Sequence, residues 1–162
     1  MSILIVFKRK EYFMLRINQN EIPEGLFKAM RQVQDHIRNS GIDPLLIELL
    51  DTRVSQINGC AYCLDMHSKE AVHKGETLQR LISLSVWRET NYYTPKERAV
   101  LAFAERLTKL KEENESDDLH DELKKYFSNA EIANLSLAVA QINSWNRLVK
   151  SFGTIAGTYE VK

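Results

Sequence analysis

Two cysteines, an imidazole and a carboxylate stand at spacings that suit thiol redox chemistry. Asn58-Gly59-Cys60-Ala61-Tyr62-Cys63 runs into Leu64-Asp65-Met66-His67, and eleven residues separate Glu48 from Cys60. A C-x-x-C unit at a helix start puts its first sulfur beside unpaired N–H groups and the positive end of the helix dipole, which favours the thiolate. Three positions is also a spacing at which one helical turn brings two sulfurs into bonding range. Cys63 and His67 are four apart, so the imidazole lies one turn along the same face. Neutral, it takes the thiol proton; protonated, it stabilises the thiolate.

Glu48 interrupts the apolar run Leu45-Leu46-Ile47-Glu48-Leu49-Leu50. A carboxylate there is expected to be partly buried and in need of a partner. If the helices flanking Asn58-Gly59 run antiparallel, Glu48 lies about 16 Å from the turn. His67 then comes nearer to its level than either sulfur, giving the order Glu48, His67, Cys63, Cys60.

Other readings of the cluster stay open. Cys60, Cys63, His67 and Glu48 offer four zinc-type ligands for a metal-binding or redox-sensing module. The redox reading takes precedence because one compact cluster in a single hairpin is not a usual finger spacing. A purely structural bridge has little to recommend it, since so local a disulfide closes almost no loop. Haem attachment is excluded, because Leu64 stands where that motif requires His. Glu48 alone would serve equally as an ion-pair partner for Arg53 or another cation. Tyr62, between the sulfurs, could donate a hydrogen bond or cover the site. His73 is expected at the surface, and His36 and His120 solvated. Trp87 and Trp145 read as core or interface aromatics. Asn143, Trp145, Asn146 and Arg147 read as buried hydrogen bonding or a subunit contact.

The chain that must position these groups has 162 residues, 44% of them hydrophobic, with 22 basic and 22 acidic side chains. That is enough for one domain with a core. A zero formal charge argues against nucleic-acid or anionic-membrane binding and does little to oppose self-association. Two cysteines so close together are no secreted disulfide framework. The apolar run Ile3–Phe7 precedes its basic residues, the reverse of a signal peptide, and no segment approaches the roughly 20 apolar residues of a membrane helix. A cytoplasmic location is expected.

Glycine and proline mark helix ends rather than strands. Pro23 opens a segment with Leu26, Met30, Val33 and Ile37 at helical spacing, closed by Gly41. Asp43-Pro44 caps a second helix running to Asn58-Gly59. Cys60 begins a third, closed at Lys74-Gly75, and a fourth runs from about Thr77 to Trp87. Thr94-Pro95-Lys96-Glu97 and Ser128-Asn129-Ala130-Glu131 are capping boxes that start the fifth and last helices. Lys111–Asp118 reads as a charged loop, and Leu119, Leu123 and Phe127 as a short sixth helix. The expectation is an all-α bundle of about seven helices built from helical hairpins, one domain over residues 14–162. Residues 1–13 lack helical periodicity and stand apart, as an added strand near 3–7 or as no native part of the protein.

At these residues the chain resembles the alkylhydroperoxidase D-like branch of the carboxymuconolactone decarboxylase superfamily. The match lies in Glu48, the Cys60-x-x-Cys63 unit and His67 at their mutual spacing. It extends through Arg53-Val-Ser-Gln-Ile-Asn-Gly-Cys-Ala-Tyr-Cys63, Thr94-Pro-Lys-Glu-Arg98-Ala and Asn143-Ser-Trp-Asn-Arg147, over about residues 14–155. The resemblance implies an all-α homo-oligomer, a trimer or hexamer, with thiol peroxidase activity and no bound cofactor. It assigns Cys63 as the peroxidatic sulfur and Cys60 as the resolving one, the sulfur left open to an external dithiol, protein or small molecule. It assigns His67 and Glu48 to proton transfer. The helix-dipole argument instead marks Cys60 as the acidified thiol. The sequence also departs from the pattern: relatives with the best-established peroxidase activity carry His where Tyr62 stands. Decarboxylases of the wider superfamily, acting on a small acid, remain an alternative, although they do not rely on a cysteine pair.

Overall fold

The computed structural model describes residues 15–110 and 118–161, and all of their regular structure is helical. The extension 1–13 and residues 111–117 of the charged stretch lie outside the described residues. A 3-10 turn at Gln19–Glu21 leads to α1 (Leu26–Arg38), α2 (Pro44–Asn58), α3 (Ala61–His73) and α4 (Leu78–Ser83). A second 3-10 turn, Leu84–Glu89, precedes α5 (Pro95–Lys109), α6 (Asp118–Lys124) and α7 (Asn129–Phe152).

Among the described residues the expected architecture of seven helices is what the chain adopts. Thr94 and Ser128 each accept from the backbone N–H three residues on, and Glu97 and Glu131 return the bond, so both capping boxes form. Several boundaries differ from expectation, among them the end of α6, which stops at Lys124 short of Phe127. The first helix starts at Leu26 rather than Pro23, because Gly25 takes a left-handed φ of 90° that no helical turn accommodates. The fourth ends at Ser83: Val86 leaves helical geometry, while Trp87 turns inward to donate its indole N–H to Glu105 at 2.9 Å. Asp118, expected in the charged loop, opens α6, where an acid meets the positive end of the dipole.

α2 is the central element, with α3, α5 and α7 packed around it. Leu46, Ile47, Leu50 and Val54 enter one apolar cluster with α1, α5, α6 and α7. Leu49 enters a second cluster with Ala71, Leu81, Leu84, Trp87, Tyr93 and Leu101. A helix covered on nearly all sides buries its polar residues too. That is why Glu48, Asp51, Thr52 and Ser55 are all removed from solvent. Leu50, fully enclosed, gives a stability prediction: Leu50→Ala should cost about 2–5 kcal/mol, read as a lower denaturant midpoint at unchanged slope.

The turn before Cys60 is built with care. Gly59 is left-handed, φ 60° and ψ 43°. The Cys60 N–H reaches back to the Ser55 carbonyl at 3.0 Å, and the Gly59 N–H to that of Gln56 at 3.2 Å. These two bonds are a Schellman closure, which favours glycine at that position. α7 clamps the turn from outside: the Asn58 amide donates to Asn146 Oδ1 at 2.8 Å and Asn143 Oδ1 at 3.0 Å. Asn146 in turn donates to Ser55 Oγ at 3.1 Å, and Lys150 caps the Asn58 carbonyl at 2.7 Å. The Asn143–Arg147 segment thus supplies the buried hydrogen bonding its sequence suggested, and it does so for the turn that delivers the cysteines.

Candidate functional site

Cys60 is the N-cap of α3 and Cys63 its third helical residue. Both sulfurs therefore sit in the first turn, where N–H groups lack helical partners and the dipole is positive. This removes the tension between the two assignments, since the dipole reaches Cys63 as well as Cys60. The cysteines form a disulfide, with Cα atoms 5.4 Å apart. Neither sulfur is offered to solvent: Cys60 is 0% exposed and Cys63 2%. The expectation that Cys60 lies open to a reductant is thus corrected. Its N–H closes the Schellman turn on the Ser55 carbonyl, and α7 clamps that turn through Asn58.

His67 lies one turn beyond Cys63, buried between α3 and α2. Its Nδ1 is 2.8 Å from Glu48 Oε2, as the hairpin register suggested. Glu48 also accepts from Lys74 Nζ at 3.0 Å through its other oxygen. Lys74 bridges onward to Glu70 at 2.6 Å, and Glu70 accepts from the Tyr159 hydroxyl. The cation expected near Glu48 is therefore Lys74. Arg53 instead pairs with Glu105 at 2.6 Å, tying α2 to α5.

One residue of the cluster escaped the sequence reading. Asp51, one turn from Glu48 on α2, places Oδ2 3.6 Å from the same His67 Nδ1. A signal for it existed, because Asp51 and His67 stand eight residues before and after Gly59. An antiparallel hairpin brings such residues to one level.

Burial alone would raise the Glu48 carboxyl, but the hydrogen bonds and charges of His67 and Lys74 outweigh it and hold it below the usual glutamate range. Burial opposes charge on His67 as well. There the Asp51 charge, the Glu48 hydrogen bond, and the Glu48 and Glu70 charges prevail and raise it. Asp51 is pushed up to about 7, by burial first and then by Glu48, with His67 and Arg38 pulling the other way.

In the disulfide form the two sulfurs are bonded to each other, so the four-ligand set Cys60, Cys63, His67 and Glu48 would require the reduced pair. Among the described residues the convergent donors are Glu48, Asp51 and His67, with ligand-type atoms within 4.8 Å of one another. A divalent cation there would displace the Nδ1 proton and meet the Lys74 ammonium, 3.0 Å from one of its carboxylates. The arrangement suits proton sharing better.

The remaining candidates fall where expected or recede. Tyr62 is half-buried and its hydroxyl bonds to no described residue. His73 and His36 are exposed, the latter 3.0 Å from Asn134 Oδ1. His120 is exposed at the edge of the Phe103 ring. Trp87 belongs to the core, and Trp145 packs on Phe27. Among the described residues no helix is long and apolar enough to cross a membrane.

Residues 24–106 match the carboxymuconolactone decarboxylase family. An uncharacterized protein of Bacillus subtilis (strain 168), YdfG, is 37% identical over 144 residues, 88% of this chain and 97% of its own. The crystal structure of a protein of unknown function from Agrobacterium tumefaciens, ATU0492, superposes with a TM-score of 0.84 at 37% identity. It covers 90% of this chain and 100% of its own, and its assignment to antioxidant defence as AhpD is provisional. A peroxidase-related protein from Ralstonia eutropha JMP134, with an alkylhydroperoxidase AhpD core, superposes with a TM-score of 0.72. It is 19% identical, over 82% of this chain and 70% of its own, and so shares the fold.

Proposed function

Because the chain belongs to the carboxymuconolactone decarboxylase family, in its alkylhydroperoxidase D-like branch, we propose that it is a thiol-dependent peroxidase. The observation that carries this reading is the Cys60–Cys63 pair at the start of α3, one turn from a buried His67 held by Glu48 at 2.8 Å.

In the reduced enzyme the Cys63 thiol gives its proton to His67, whose Nδ1 side is anchored on Glu48. The thiolate attacks the terminal peroxide oxygen: an S–O bond forms, the O–O bond breaks, and the alkoxide takes a proton from His67 and leaves as alcohol. The Cys60 thiol then gives its proton to the now neutral His67 and its thiolate attacks the Cys63 sulfenic sulfur: the S–S bond forms, the S–O bond breaks, and the expelled hydroxide takes that proton and leaves as water. Two electrons have passed from the thiol pair to the peroxide. An external dithiol returns them by exchange and is itself oxidised. Both sulfurs are enclosed, so that exchange requires the turn at Asn58-Gly59 to open locally.

Turnover tests the reading. Catalytic loss of an organic hydroperoxide such as cumene hydroperoxide, driven by a dithiol and well above the protein-free rate, is expected. A rate no higher than the protein-free control would remove the proposal. Tyr62, in place of the histidine of well-established relatives, leaves His67 as the nearer proton carrier.

A reducing, cytoplasmic setting suits a dithiol cycle, and a homo-oligomer, trimer or hexamer, is part of the same proposal. Leu78, Ile82 and Val86 form an apolar stripe along α4 and the following turn, with Ile82 73% exposed. Zero formal charge does not oppose its burial between copies. Sedimentation should give a multiple of the 18.8 kDa chain; a single-chain mass across micromolar concentrations would contradict that.

A further inference from the structure

We propose that Asp51 is a positioning residue: a second carboxylate facing the same imidazole nitrogen as Glu48, which sets the proton occupancy of His67 without touching either sulfur. The geometry is asymmetric in a telling way. Glu48 Oε2 lies at hydrogen-bond distance from Nδ1, 2.8 Å, and Asp51 Oδ2 just outside it, 3.6 Å. Nδ1 carries one proton and can donate it to one of them at a time. Glu48 is further fixed by Lys74, whereas Asp51 accepts no hydrogen bond from any described residue and is 4% exposed. An ionised carboxylate so enclosed and so little bonded is costly. Its remaining stabilisation comes from charge on His67 first and on Arg38 second.

The charged groups around the pair support this assignment. Glu48 faces it from α2, His67 and Glu70 from α3, Arg38 from the end of α1, and Lys74 follows α3. Glu48 stays ionised throughout neutral pH, because His67 and Lys74 hold it low. Asp51, pushed up to about 7, is the carboxylate whose charge changes in the range where a peroxidase works. When it ionises it favours the imidazolium; when it is protonated it releases that hold. Asp51 therefore tunes how readily His67 accepts a thiol proton. This role rests on the proton-relay reading above, but its test does not pass through peroxide chemistry.

The experiment is an NMR titration of 15N-labelled imidazoles in the disulfide form, where no thiol is present to react. Wild type should show the His67 midpoint above the ordinary histidine value. In Asp51→Asn one negative charge is gone, the imidazolium loses support, and the midpoint should fall by about one unit or more. His36, His73 and His120 should not move. An unchanged His67 midpoint in folded Asp51→Asn would overturn the proposal. Should that variant not fold, infrared titration of wild type decides instead. A carboxylic-acid C=O band that disappears near pH 7, and persists in Glu48→Gln, is expected; no such band between pH 5 and 7 would overturn it equally. Either result stands whether or not the protein reduces peroxides.

Discussion

Cys63→Ser should lower dithiol-driven hydroperoxide turnover by on the order of a thousandfold or more, the scale seen when a nucleophile is removed from a cooperating group. The effect is chemical rather than structural. Reduced wild type lacks the disulfide too, so the fair comparison is between two chains with no bridge, and serine fills nearly the same volume. Circular dichroism and the unfolding midpoint of the variant should therefore match those of reduced wild type. Cys60→Ser gives a contrasting outcome. It keeps the attacking sulfur, so one equivalent of hydroperoxide should be consumed and a sulfenic acid should accumulate on Cys63, trappable by dimedone, with turnover stopped. If Cys60→Ser blocked the first equivalent while Cys63→Ser did not, the roles of the two sulfurs would be exchanged.

His67→Gln should slow oxidation of the thiols by about a hundredfold to ten-thousandfold, the usual worth of a placed proton carrier. Glu48→Gln should do less, since the imidazole remains and loses an anchor and a charge. The pH dependence of folding supplies an independent check. His67 is raised in the folded state, so its share of stability is complete below the ordinary histidine value of 6.5 and is lost as pH rises through its folded value. Glu48 is lowered, so its share is present above 4.5 and is lost as pH falls through its folded value. Asp51 acts in the opposite sense to Glu48: with its carboxyl pushed up from 3.8 to about 7, it weakens the fold as pH rises between those values. Wild type should therefore lose stability as pH rises from about 5 through 7 and on through the raised His67 value, and His67→Gln should flatten the part of that loss above 6.5.

The legible part of the site was the part encoded along one helix. Cys60, Cys63 and His67 declare their relation through spacings of three and four, which helical geometry turns directly into neighbours. Glu48 was found because a lone acid inside an apolar run must have a reason to be buried. Asp51 directly follows that run rather than interrupting it, and its contact depends on the register of α2 against α3. Helix rise alone sets Asp51 at the level of His67 and Glu48 about 4.5 Å further from the turn, so the signal for Asp51 lay in the count about Gly59 and not in its sequence neighbours. The enclosure of Cys60 was not legible at all, and the residues that clamp the turn before it through Asn58, namely Asn146 and Lys150, lie about ninety positions away on α7.

The fold divided along similar lines. The capping boxes at Thr94 and Ser128, and the Asn58-Gly59 break, are local devices and appear as read. The end of α4 is not local. Trp87 is drawn to Glu105 across eighteen positions, and the Arg98 guanidinium stacks on its ring and bonds its carbonyl at 3.0 Å. Those contacts pull the chain out of helical geometry at Val86, a decision no window around residues 77–87 contains.

The most direct test is a thiol count on fully reduced protein before and after one equivalent of an organic hydroperoxide, with mass spectrometry to place any new bond. Two thiols lost per chain and a Cys60–Cys63 crosslink are expected, within the time of a single turnover. Two thiols retained, or oxidation that stops on one sulfur with no crosslink, would contradict a dithiol cycle at this site.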